Sequence, residues 1–146
     1  MSNFQDALKQ ILKREGGYAN VKGDRGGETM YGVTIAVARA NGYTGPMKEL
    51  PMSVVETVYK TQYWDPLKLD AELSHAVAER LFDIAVNCGV SKAKAVYGRA
   101  VAAGADQDPN LLVRALTILQ GEHYLNLATA NITQRKFLKG WFNRLV

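Results

Sequence analysis

A mainly α single domain of about six or seven helices, with one small hairpin-like insertion after the first, is the fold class this chain predicts. Three observations carry it. Apolar residues recur at helical spacing through most of the 146 residues, and the one stretch without that spacing, residues 13–34, holds six glycines. A composition 47% hydrophobic and 22% charged is that of a chain able to bury a core without staples.

The first helix rests on Phe4, Leu8, Ile11 and Leu12, one amphipathic stripe with Ser2 or Asn3 as N-cap, stopped by Gly16 and Gly17. From Tyr18 to Val33 no helical period survives, and Gly23, Gly26, Gly27 and Gly32 suit a small irregular hairpin. Thr34 caps a short helix over Ile35 to Ala40, and Ser53 with Glu56 reads as the capping box of the next, which runs towards Tyr63. "YWDPLKLDAEL" is a proline-broken connector. Val77, Leu81, Ile84, Ala85 and Cys88 then keep helical spacing up to Gly89, and Ser91 starts a helix rich in small residues. Asp108 before Pro109 opens another helix. Phe137, Leu138, Trp141 and Leu145 form the stripe of a terminal helix docked on the core, its basic aromatic face being an alternative surface for wall or membrane.

Composition narrows the function. Cys88 is alone, and with only His75 and His123 no metal-ligand spacing occurs, so neither a disulfide nor a metal is expected. Cys88 reads as a small buried hydrophobe and both histidines as structural. No run approaches the roughly 18 apolar residues of a membrane span, and the first residues lack an export-signal pattern, so synthesis in the cytoplasm and no stable membrane insertion are expected. The net charge of +4 favours an anionic partner: nucleic acid, a membrane surface or an acidic wall polymer. Nucleic acid is not expected, because no concentrated Lys/Arg patch and no reading helix occur.

Glu15 stands at the edge of the glycine-rich stretch, on the last turn of the first helix. There the partial negative charge of the helix end disfavours an ionised carboxylate, and Tyr18 or Tyr31 can fold over it; a carboxyl that keeps its proton is what a general acid requires. Asp24 follows in a turn that can bring a second carboxylate across the helix end. Such a pair serves glycosidases, with inversion when the carboxyls stand roughly 6.5 to 9.5 Å apart and retention near 5 Å. Asp24 is equally a turn former in "GDRGG", and Glu28 is a competing carboxylate. Thr29 can hold water or a sugar, Tyr31 can stack on one, and Gly32 permits close backbone approach by a ligand. As a phosphate loop the segment fails, since "GDRGGET" lacks the Lys-Ser/Thr ending and follows a helix.

"EGGYANVKGDRGGETMYGVT" resembles the "EGGY…D.GG.T.YG.T" signature of glycoside hydrolase family 108, the lysozyme-like N-acetylmuramidases of phages and prophages. The resemblance continues through "YWDPL", "FDIAVNCGVSKA" and "FLKGWFNRL", the last similar to the family's peptidoglycan-binding half. It implies a lysozyme-like single domain with a catalytic half over 1–88 and a helical peptidoglycan-binding half over 89–146. It implies Glu15 as catalytic acid, with Asp24 and Thr29 as the leading partners and Glu28 in reserve. Tyr18, Glu28, Tyr31 and Asn87 are the candidate sugar contacts, Asn87 being equally a cap of its helix.

The expected activity is cleavage of the β-1,4 bond between N-acetylmuramic acid and N-acetylglucosamine by a monomeric endolysin without cofactor, with a holin giving access to the wall. Rivals are a lytic transglycosylase, which needs one carboxylic acid, and a non-catalytic wall-binding or secretion-accessory protein.

Overall fold

A computed structural model of the protein describes residues 3–20 and 27–146. It is mainly α, as the sequence predicts. The described residues form seven α-helices, with a small three-stranded antiparallel sheet after the first, and cluster into two compact units, Met1–Ala71 and Glu72–Val146.

In the first unit, helix α1 (Phe4–Glu15) is capped by Asn3, whose Oδ1 accepts from the amides of Gln5 and Asp6 at 3.0 and 3.3 Å. Ala7, Leu8 and Ile11 bury its apolar stripe. Gly16, at φ +66°, ends it in a conformation that glycine adopts without strain. Strands β1 (Tyr18–Ala19), β2 (Thr29–Met30) and β3 (Val33–Thr34) follow, with Tyr18 opposite Met30 and Thr29 opposite Thr34. The β2–β3 turn is Tyr31 and Gly32, both with positive φ, 50° and 75°. That is the two-residue hairpin geometry matching the twist of its strands.

Thr34 caps α2 (Ile35–Ala40), its hydroxyl accepting from Val37 at 3.2 Å. Helix α3 (Met52–Tyr59) starts earlier than the capping box suggests: Pro51 occupies the N-cap, and no side-chain cap bond forms there. A proline in extended backbone orients the entry without one.

The connector is more ordered than a proline-broken loop. A π-helical turn (Lys60–Trp64) continues α3, and 3-10 turns over Asp65–Leu67 and Leu69–Ala71 flank Lys68, which is left-handed at φ 54°. Buried Trp64 anchors this segment: its ring meets Phe4 edge-on at 5.4 Å and its indole N–H donates to Asp70 at 2.7 Å. That bond, with the Lys60 ammonium behind it, holds the Asp70 carboxyl below the usual range.

In the second unit, α4 (His75–Cys88) packs against both α5 (Val90–Ala102) and α6 (Pro109–Ala130). Ser74 caps α4 and Asp108 caps α6. Ala93, Val96 and Ala100 give α5 a thin buried face that lets the helix axes approach closely. The terminal stripe docks on α6 as its pattern predicts. A 3-10 turn (Ile132–Phe137) leads into α7 (Leu138–Asn143), and Trp141 stacks on Tyr124, centroids 5.4 Å apart and planes 16° from parallel.

Candidate active site

Glu15 is the last residue of α1, and its side chain lies against the β2–β3 turn. A Cβ built on Gly32 would stand 3.1 Å from Glu15 Oε2, 3.4 Å from Glu15 Cβ and 2.7 Å from Tyr59 Oη. Glycine is therefore required twice at position 32, by its φ of +75° and by the groups filling the space a methyl would take. On the side where a Cβ would stand, the space that Gly32 leaves open holds the protein's own carboxylate and phenol.

Tyr59 is 3% exposed, and its hydroxyl donates to the Tyr31 carbonyl at 2.7 Å. One turn on, within the π-helical segment, the Tyr63 ring sits 5.7 Å from that of Tyr59. Burial, and then the charge of Glu15, push the Tyr63 phenol above its ordinary pKa. The Tyr63 phenol thus lies within electrostatic reach of the Glu15 carboxylate. Of Tyr18 and Tyr31, the two rings expected near Glu15, Tyr18 donates its hydroxyl to Glu28 Oε2 at 2.8 Å, and the Lys48 ammonium lies 4.9 Å from the centre of its ring. That hydrogen bond to Glu28 raises the Tyr18 pKa.

Thr29 occupies the central strand, paired with Ala19 on one side and Thr34 on the other, and the Glu28 carbonyl accepts from Ile35 at 3.0 Å. One small sheet thus gathers Tyr18, Glu28, Thr29 and Tyr31 beside the end of α1. Asp24 lies outside the described residues.

Asn87 belongs to the second unit, near the end of α4. Its carboxamide oxygen accepts from the Tyr124 hydroxyl, and the Cys88 thiol lies 3.5 Å from the same atom. The helix end itself is closed by the Gly89 amide donating to Ala85, with Gly89 at φ +92°. Burial pushes the Cys88 thiol up to about 11. His75 pairs with Glu79 at 3.1 Å, and burial lowers the His123 pKa. Among the described residues no cluster of three or more His, Cys, Asp or Glu could hold a metal, and no helix is long and apolar enough to cross a membrane.

Tyr59 and Tyr63 are the site residues that sequence reasoning missed. Their i, i+4 spacing at the end of a helix is equally that of ordinary core aromatics, so no local signal singles them out.

The family model described as Glycosyl hydrolase 108 matches residues 8–89, more than half of the chain, a span that holds Glu15, the small sheet, Tyr59 and Tyr63. The chain belongs to glycoside hydrolase family 108. A second model, described as a predicted peptidoglycan domain, matches residues 87–146. This family 108 member is therefore a glycoside hydrolase of peptidoglycan, carrying a wall-binding portion in the same chain. No curated protein sequence matches it. Among solved structures it is similar to Brucella abortus SagA, with 23% identity and a TM-score of 0.73 over 97% of this chain and 88% of that one, a likeness of fold.

Proposed function

We propose that this family 108 enzyme is an N-acetylmuramidase that cleaves the β-1,4 bond between N-acetylmuramic acid and N-acetylglucosamine, with Glu15 as general acid. The observation that carries the reading is the seat of Glu15: a carboxyl at a helix end, set against the turn at Gly32 beside the Tyr59 hydroxyl, with the Tyr63 phenol within electrostatic reach. A proton held there reaches the departing glycosidic oxygen, while a second group acts on the opposite sugar face. Asp24, with Thr29, is our choice for positioning the attacking water, and Glu28 is the reserve. Tyr31, Tyr18 and Asn87 supply contacts to the sugars or their acetamido groups; with its oxygen taken by Tyr124, Asn87 would donate through its nitrogen.

We further propose a phage or prophage role in host lysis: a monomeric antimicrobial enzyme made in the cytoplasm and admitted to the wall by a holin. Turbidity loss of peptidoglycan sacculi, with mass spectrometry of the released fragments, tests the chemistry. Wild type should clear the suspension and leave reducing ends, and Glu15→Gln should slow clearing by about a hundredfold or more. Anhydro ends would replace hydrolysis by a transglycosylase, and undiminished clearing by Glu15→Gln would remove Glu15 from the acid role. Absence of any clearing by wild type would leave a wall binder.

A further inference from the structure

Three unusual backbone features meet beside Glu15. Tyr31 is one of two non-glycine described residues with positive φ, a strained conformation that persists only where surrounding structure over-determines it. Gly32, next to it, leaves the space that the Glu15 carboxylate and the Tyr59 hydroxyl fill. Helix α3 passes into a π-helical turn immediately after Tyr59, a distortion frequently found at functional sites.

Tyr59 links the three. Its ring is anchored in the core, its hydroxyl donates to the carbonyl of the strained Tyr31, and it stands over the missing Cβ of Gly32, as Glu15 does. We propose that Tyr59 is a positioning residue for the catalytic acid. By holding the Tyr31 carbonyl it fixes the β2–β3 turn in the left-handed form, and that turn is the surface against which the Glu15 side chain is set. Released from Tyr59, the turn can relax away from positive φ at Tyr31, and the carboxyl loses the backing that aims it. Tyr59 does not touch substrate in this scheme; it acts through the turn.

The inference rests on Glu15 being the acid, so its test keeps the two apart. Tyr59→Phe retains the ring and removes the hydroxyl, and activity is measured on soluble, uncrosslinked glycan strands. kcat should fall by about tenfold to a hundredfold with KM little changed, the scale on which a misplacement of about 1 Å acts. The high-pH limb of the pH–rate profile should also move, because the acid's surroundings change. Gly32→Ala, which keeps Tyr59 but crowds the carboxylate, should give the same kcat-dominated loss. Val96→Ala, buried in α5, controls for lost stability: its melting temperature should fall while kcat and the profile stay at wild-type values. A Tyr59→Phe enzyme with wild-type kcat and pH profile, in a preparation where Glu15→Gln is dead, would overturn the positioning role and leave the acid assignment standing. A Glu15→Gln enzyme as active as wild type would overturn both.

Discussion

A methyl group at position 32 would collide with a phenol and a carboxylate from two different helices, so the glycine-rich stretch is shaped at this point by Glu15 and Tyr59. Sequence reading places Glu15 at a helix end correctly because caps and breakers act locally: Gly16 follows it whatever the tertiary structure does. The partners of Glu15 escape that reading because Tyr59 and Tyr63 arrive from dozens of residues away. Cys88 shows a different case: the sequence suggests a small buried hydrophobe, and the structure leaves it half-buried, because it lies at the end of α4. Its thiol, pushed up to about 11, is almost wholly protonated at pH 8. Alkylation of the native protein at that pH should run about a hundredfold or more slower than of the denaturant-unfolded chain, followed by mass shift; equal rates would refute the burial argument. The sign for stability follows. Folded Cys88 holds its proton more tightly than unfolded Cys88, so its stabilising contribution is complete below the unfolded pKa and is lost as pH rises from about 9 through 11.

Among the elements, α4, α6 and the residues after α7 are tied by a polar network at the centre of the second unit. Asp83 is 2% exposed, and its Oδ2 accepts from Gln120 at 2.8 Å while its Oδ1 lies 3.3 Å from the Arg144 guanidinium. Arg80 donates to Gln120 Oε1 at 3.1 Å and to the Arg144 carbonyl at 3.0 Å. Gln120 in turn donates to the Tyr124 hydroxyl, which reaches Asn87. Buried charges so paired add little over apolar packing, but removing one partner strands the others. Asp83→Ala should therefore lower unfolding stability by about 3 to 5 kcal/mol, measured by denaturant titration, whereas a surface change such as Asp106→Ala should stay within about 0.5 kcal/mol. The helices were legible in the sequence because their apolar stripes and caps repeat locally; Asn3, Thr34, Asp108 and Gly89 all stand where expected. The start of α3 was not. Ser53 and Glu56 satisfy the capping-box pattern, yet Pro51 sets the entry two residues earlier, and the π-helical turn after Tyr59 has no local signature at all. Internal pairing is a reading open to Asp83 from its sequence, but its partners Gln120 and Arg144 carry no local signal, because a buried network exists only once distant helices meet.

For the molecule as a whole, charge and family place the wall polymer as partner, and the distribution of charge is uneven. No Asp or Glu occurs from residue 123 to residue 146, while Arg135, Lys136, Lys139 and Arg144 all fall there. Arg144 is taken up by Asp83, but Arg135, Lys136 and Lys139 are exposed on the 3-10 turn and α7, beside Phe137 at 45% exposure. This stretch lies within the residues matched by the peptidoglycan model. Exposed charges act through solvent over roughly 10 Å at 0.1 M salt, so they steer the enzyme to an anionic polymer without touching the chemistry at Glu15. Reversing all three, Arg135→Glu with Lys136→Glu and Lys139→Glu, should slow clearing of intact sacculi by about tenfold at low ionic strength. The difference from wild type should shrink as salt is raised towards about 0.5 M, since screening removes the advantage that the variant lacks. Turnover of short soluble glycan strands, which carry few charges and need no capture, should stay unchanged. A loss of equal size on both substrates would mean that these residues serve the fold or the bond-breaking step instead of capture of the wall.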